Sequence, residues 1–330
     1  MTDSLLPEDL LIIDGHCDTV LEMAGINEPS GCNSPRPLLQ RSTRGHIDLP
    51  RLLEAGVSCQ FFALFTSDEY LPVANEHCQG LLELVLRTIT QSGRLQLACS
   101  SADILEARAS GRIAVMLAIE GGEAIGSSLD QLQAFYEQGV RLLTLTWNHR
   151  NAIGRGVGAE GIDGLSPFGE AVLREMENLG MLVDVSHLAD TTLTDVLRLA
   201  RRPLVASHSN CRALCPHRRN LTDDQIRAIA ATGGLVGLTF AGSFVDSDPA
   251  KVNLERFLQH LDHMVEVAGV DHVGIGSDFD GFSDEFGLVM SDCTGLPGLA
   301  VSLLKRGYAL SAVQSIMGGN WLRVISQVLA

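Results

Sequence analysis

Apolar positions along the chain fall into two kinds of run that alternate from end to end. One kind is short and nearly continuous: Leu11–Val20 (LIIDGHCDTV), Val57–Phe65 (VSCQFFALF), Ile113–Glu120 (IAVMLAIE), Val140–Thr146 (VRLLTLT), Gly180–His187 (GMLVDVSH), Pro203–His208 (PLVASH), Gly234–Phe240 (GLVGLTF) and Asp271–Asp278 (DHVGIGSD). Runs of this length, rich in β-branched and aliphatic residues, read as strands covered on both faces. The other kind is longer and amphipathic. Asn75–Gln91 sets Leu81, Leu82, Leu84, Val85, Leu86 and Ile89 against polar neighbours, and Leu129–Gln138, Pro167–Leu179 and Ala189–Ala200 follow the same 3.6-residue period. Thr222 before DDQIRAIA has the chemistry of an N-cap with an acidic first turn, and Asn253–Ala268 is a further helix stopped at Gly269. The tail reads as helix over Leu299–Arg306 and Ser311–Leu329, interrupted by Gly318 and Gly319.

Eight buried strands alternating with helices predict an α/β fold, a (β/α)₈ TIM barrel. The expectation is a single domain over residues 1–330 with extra C-terminal helices. The alternative, an open doubly wound sheet, usually carries a Gly-rich phosphate loop after its first strand, and GHCDTV is not one. Ser30–Thr43 (SGCNSPRPLLQRST) reads as a loop, on the surface or over the site.

The strand ends carry the candidate chemistry. His16 and Asp18 end the first strand two residues apart, Glu120 ends the third, His187 the fifth, His208 the sixth and Asp278 the eighth. Active groups of a barrel lie at the C-terminal ends of its strands. An isolated H-x-D is better explained by a hydrogen bond in a turn, and a lone buried histidine by backbone pairing. Six metal-competent groups at one end of a barrel point instead to a metal site. His16, Asp18, His187 and His208 supply terminal ligands, and Glu120 has two oxygens with which to bridge a pair of divalent ions about 3.5–4 Å apart. The ligand types favour zinc, with manganese, cobalt and iron also compatible. The expected chemistry is hydrolysis by a metal-activated hydroxide, with Asp278 moving the proton to the leaving group.

Composition narrows the field. The 45% hydrophobic content supports a sizeable core, and a net charge of −16 argues against nucleic acid as partner. The eight cysteines are scattered and read as reduced, buried thiols. Cys17 is expected to face away from the site. The N-terminal residues show no secretory pattern and no run of 18 apolar residues occurs, so the expectation is a cytoplasmic chain that does not touch a membrane.

DGHCD, AIEGG, LTLTWN, DVSH, ASHS, RNL, GIGSDFDG and GGNWLRV follow one another in this order almost from end to end. In that combination the chain resembles the renal (membrane) dipeptidase family, peptidase family M19, within the amidohydrolase-like barrels, and its soluble bacterial members in particular. The resemblance implies a binuclear zinc dipeptidase acting on dipeptides, L-Xaa-D-Xaa among them. It assigns His16, Asp18 and Glu120 to one zinc, and Glu120, His187 and His208 to the other. It gives Asp278 the proton-transfer role and Arg219 the substrate's C-terminal carboxylate; by residue type alone, Arg212, Arg218 and Arg219 are not distinguishable. The family's dimeric habit implies a homodimer.

One position departs from the pattern. Where the mammalian relatives have a catalytic histidine after LTLT, this chain has Trp147, with His149 two residues on. His149 is therefore the candidate for catalytic or substrate contact, the alternative being that the metals alone stabilise the intermediate. Trp147 is either a pocket wall or barrel-top packing. The competing functional readings are another metal-dependent barrel hydrolase, an N-acyl-amino-acid deacylase or a phosphotriesterase-like enzyme, and a non-catalytic metal-binding protein. Phosphotriesterase-like sites bridge their metals with a lysine on strand four, which VRLLTLT lacks.

Overall fold

The computed structural model describes residues 6–7, 10–26 and 34–329. Its strands are β1 (Ile13–Asp14), β2 (Cys59–Phe65), β3 (Leu95–Leu97), β4 (Ile113–Glu120), β5 (Val140–Thr144), β6 (Leu182–Asp184), β7 (Leu204–Ala206), β8 (Leu235–Leu238) and β9 (Val273–Ile275). All pair in parallel, in the order β2-β1-β9-β8-β7-β6-β5-β4-β3, and β2 closes the ring by pairing with β4 from Cys59↔Ala114 to Phe65↔Glu120. Eight of these strands form the barrel, and each lies within one of the eight runs picked out by pattern. The ninth, β3, was not expected. It pairs with Ile113–Val115 at the start of β4, on the edge that β5 takes over from Leu117 onward. Three residues reading LQL are too few to show a period.

The helices pack outside the ring. Pro167–Leu179 is capped by Ser166 and ended by Gly180 at φ 73°. Asp223–Ala231 starts with a capping box in which Thr222 and Gln225 satisfy each other's backbone N–H groups. Leu254–Ala268 is capped by Asn253. Short helices at Thr19–Ala24, Leu49–Glu54 and Ser101–Ala109 add to those expected.

The first strand is shorter than its composition implied. It ends at Asp14, and the backbone turns so that Asp18 stands at the N-cap of the Thr19–Ala24 helix. His16 and Asp18 therefore lie beyond the strand they were expected to end, and the turn brings their side chains to 3.5 Å of each other. Cys17 points the other way, its thiol against the carbonyl of Phe61 at 3.2 Å. Residues 30–33 of the expected Ser30–Thr43 loop lie outside the described residues. The part that follows is tied down: the buried Arg36 guanidinium bonds Glu22 (3.1 Å) and Asp280 (2.6 Å).

The barrel interior is filled from below by the tail. After Leu296–Lys305 the chain forms Leu310–Gln314, one π turn over Ser315–Gly319, and Asn320–Val328. The two glycines loosen the helix into a π turn without stopping it. Gly318 sits so close to β1 that a Cβ would lie 2.6 Å from the Leu11 carbonyl oxygen. That approach puts Trp321 inside the barrel, fully buried, beside Phe61, with its indole N–H on the Ile275 carbonyl at 2.8 Å. A Cβ at Gly15 would fall 2.0 Å from the Trp321 ring, so glycine is required there for steric reasons.

Candidate active site

The C-terminal ends of the strands open into a cavity of about 270 Å³, lined by Asp18, Glu120, His187, His208, Arg219 and Asp278 on the polar side. Leu21, Ile26, Phe65, Trp147 and Phe244 form the apolar wall. Glu120, last residue of β4, stands at the centre. Its Oε2 lies 3.5 Å from His16 Nε2; its Oε1 lies 2.9 Å from His187 Nε2 and 3.5 Å from His208 Nε2. His16 Nε2 also lies 3.5 Å from Asp18 Oδ2 and 3.8 Å from Asp278 Oδ1. One carboxylate thus offers each of its oxygens to a different set of imidazoles.

The hydrogen bonds fix which nitrogens carry protons. His187 Nδ1 lies 2.9 Å from Asn148 Oδ1, an oxygen that only accepts, so Nδ1 is the donor. Ser207 gives its hydroxyl hydrogen to Asp184 Oδ2 at 2.6 Å and therefore accepts from His208 Nδ1 at 2.7 Å. Both Nε2 atoms then present lone pairs. They face each other at 2.8 Å, with Glu120 Oε1 beside them. Burial pushes both imidazoles well below their ordinary pKa, so neither gains a proton to relieve the contact. Three acceptors turned on one another repel unless a cation lies between them. Ligand atoms around a tetrahedral ion with bonds of ~2.0–2.1 Å sit roughly 3.3 Å apart, a value inside the 2.8–3.5 Å spread of this set.

The other half also fits a cation. His16 Nδ1, His16 Nε2 and Asp18 Oδ1 are buried without hydrogen-bond partners. His16, Asp18 and Asp278 bring ligand atoms within 4.8 Å of one another, and His16, Glu120 and His208 do the same across the two halves. Burial opposes charge on His16, but Glu120 and Asp18 override it and hold its pKa well above the usual value. Burial and Glu120 push Asp18 up to about 6, and burial and Asp18 push Asp278 well up. Buried carboxylates that crowd one another until they resist losing their protons are what a divalent ion relieves.

Backbone strain is concentrated here. His187 (φ 68°), Asp278 (φ 63°) and Asp280 (φ 66°) are the non-glycine residues with positive φ among the described residues, a conformation costing on the order of 1 kcal/mol or more each. Gly281 completes the turn because a Cβ would lie 2.1 Å from Asp18 Oδ2.

The three arginines separate by their partners. Arg212 is held by Asp190 through two 2.8 Å bonds, and Arg218 reaches the Val157 carbonyl from an exposed position. Arg219 is buried and lines the cavity, with its Nη2 on the His208 carbonyl at 3.2 Å, its face over Phe244, and its Nε without a partner. Burial lowers its pKa to about 10, so it remains charged at neutral pH.

His149 lies apart from the metal-competent cluster. Its side chain is half exposed and pairs with Asp68, a cavity-lining residue, at 3.1 Å. Trp147 is a wall of the cavity, packed between Phe65 and His187. Sequence reasoning missed the groups behind the imidazoles: Asn148, Asp184 and Ser207. The available signal was an aspartate inside an apolar run, as in LVDVSH.

A parallel eight-stranded barrel with paired His/carboxylate donor sets at its C-terminal mouth defines a metal-dependent hydrolase of the amidohydrolase type. The comparisons with known proteins make this particular. Residues 3–330 match the family described as membrane dipeptidase, peptidase family M19. The chain is 38% identical over 248 residues, 72% of its length and 90% of the relative's, to an uncharacterized protein from the pqqA 5′ region of Klebsiella pneumoniae. Its fold is similar to that of dipeptidase AC, a metallopeptidase of family M19 (TM-score 0.88, 31% identity, 98% of this chain and 99% of that one). It is also similar to a metallopeptidase from Rhodobacter sphaeroides solved with a phosphinate mimic of the dipeptide L-Ala-D-Ala (TM-score 0.86, 29% identity, 97% and 99% covered). The chain belongs to the membrane dipeptidase family, as a metallo-dipeptidase of peptidase family M19. Among the described residues, no helix is long and apolar enough to cross a membrane.

Proposed function

We propose that the protein is a two-zinc dipeptidase that cleaves dipeptides of the L-Xaa-D-Xaa type. The observation that carries this reading is the division of Glu120, one oxygen toward His16 and the other toward His187 and His208. His16, Asp18 and Glu120 would hold one ion, and Glu120, His187 and His208 the other. Bound there, zinc supplies Lewis acidity, lowering the pKa of water and polarising the scissile carbonyl.

The chain's own groups do the rest. Arg219 binds the substrate's terminal carboxylate with a buried guanidinium whose Nε is uncommitted. The apolar wall of Trp147, Phe65 and Phe244 encloses the two side chains. A cavity of about 270 Å³ lies just under the usual range for ligand pockets, about 300–1,000 Å³, and so suits a dipeptide better than a longer peptide. Asp278, held protonatable by burial and Asp18, takes the proton lost by the attacking water and passes it to the leaving amine nitrogen as the C–N bond breaks. His149, paired with the cavity-lining Asp68, would meet substrate at the entrance rather than at the reacting carbonyl. The stereochemical preference is supported by the ligand of the Rhodobacter sphaeroides relative.

The test is a screen of the zinc-loaded protein against L-L, L-D and D-L dipeptides alongside N-acyl amino acids. Preferred turnover of L-Xaa-D-Xaa supports the reading. Turnover confined to N-acyl amino acids replaces it with a deacylase.

A further inference from the structure

Two aspartates join neighbouring strand ends at the mouth in the same way. Asp14, closing β1, accepts the backbone N–H of Ser277 at 2.7 Å and its hydroxyl at 2.6 Å. Asp184, closing β6, accepts the N–H of Ser207 at 2.8 Å and its hydroxyl at 2.6 Å. The two serines differ in what else they touch. Ser277 Oγ lies 3.1 Å from the His16 carbonyl and reaches no ring. Ser207 Oγ accepts the Nδ1 proton of His208 at 2.7 Å. Asp184 is fixed further by the Thr144 hydroxyl (2.7 Å) and the Ser186 N–H (3.0 Å), and all these groups are buried. His187 is held by Asn148. The His16 ring has no such support: it stacks on His208 at 3.8 Å, but its Nδ1 has no hydrogen-bond partner among the described residues.

We infer that Asp184 and Ser207 are positioning residues for His208. Their support makes the half-site of His187, His208 and Glu120 Oε1 the tighter zinc site, filled before the half-site of His16, Asp18 and Glu120 Oε2. This rests on the two-zinc reading. A ligating imidazole must present its lone pair in one plane and one tautomer. The carboxylate–hydroxyl chain sets both for His208 before an ion arrives, and polarises the ring so that Nε2 is a better donor. His16 must be ordered by the ion itself, and that cost is subtracted from its affinity.

The experiment has two arms. A crystal of the metal-free protein loaded with one equivalent of zinc is examined by anomalous scattering. In parallel, zinc is titrated against a chromophoric chelator for wild type, Ser207→Ala and Ser277→Ala. The expected map shows one peak, between His187 and His208. Ser207→Ala is expected to weaken the first zinc about ten- to a hundredfold and the second by less than about twofold. Ser277→Ala breaks the equivalent buried bond without touching a ring and is expected to leave the first zinc unchanged. A peak beside His16, or equal occupancy of both halves, overturns the order of filling. Equal weakening by the two variants overturns the positioning role, because both serines would then merely hold strands. A wild type that saturates at one zinc or none overturns the two-zinc reading beneath it. Should Ser207→Ala fail to fold, Asp184→Asn in the same titration takes its place, and the wild-type map stands independently.

Discussion

The two ends of the barrel solve opposite problems. At the bottom, Trp321, Phe61, Met116, Leu142 and Leu182 fill the interior, and the one polar atom of Trp321 has its acceptor. Shape and satisfaction agree there, as stability requires. At the top, three residues adopt positive φ, imidazole lone pairs face a carboxylate, and His16 and Asp18 leave buried atoms unpartnered. Taken alone the top is unfavourable, and the well-packed bottom is what lets the chain hold it. The groups that conflict with one another at the mouth are the ones that a cation and a substrate would reconcile.

Replacing Glu120 by Ala attacks the top where both halves meet. It should cut kcat/KM on the order of a thousandfold or more, beyond the 10–100-fold typical of residues that only support a ligand. Zinc should be lost as well, while the metal-free variant melts no lower than metal-free wild type. Elemental analysis and calorimetry check both; retained zinc would remove Glu120 from the bridge. The reverse experiment is Trp321→Ala. The cavity it leaves should lower unfolding free energy by about 3–5 kcal/mol, read by urea titration, with zinc content per folded chain unchanged. If that variant lost metal at unchanged stability, the division between the two ends would be wrong.

Arg219→Lys sharpens the picture within the top. A point charge replaces a fork that can grip a carboxylate through two bonds, so kcat/KM for dipeptides should fall about a hundredfold, mainly through KM. Dipeptide amides, which lack the carboxylate, should lose much less. An equal loss for acids and amides would take the carboxylate away from Arg219.

The smallest effect concerns Asp280, which ties the segment around Arg36 and His46 to the mouth. Burial opposes its charge, but His46 and Arg36 outweigh this and hold its pKa near 2, against an ordinary 3.8. A carboxylate with a depressed folded-state pKa stabilises above its unfolded value, and the contribution fades as pH falls from about 4 toward 2. It should amount to about 2 kcal/mol. Asp280→Asn should therefore be less stable than wild type at pH 6 and converge with it near pH 2 in urea titrations. A pH-independent difference would contradict this.

Much of the architecture was legible because a strand covered on both faces leaves an unbroken apolar run, and each metal-competent group interrupted or ended such a run. Glu120 was visible as a charge closing IAVMLAIE. The hidden features were of two kinds. Some were too short for a period, as with β3. The Thr19–Ala24 helix was masked by β-branched residues at its start. Others depended on partners remote in sequence: the choice of Arg219 turns on Asp190 capturing Arg212, and the support of His208 turns on Asp184, at the end of the preceding strand. His149 stands two residues beyond the position of the family histidine, and its loop carries it outward to Asp68.

The central claim is that Glu120 stands between two cations. A crystal structure of the wild-type protein saturated with zinc tests it directly by anomalous scattering. The account predicts two peaks per chain, one on each side of the Glu120 carboxylate and about 3.5–4 Å apart. A single peak, or two bound away from Glu120, would contradict it.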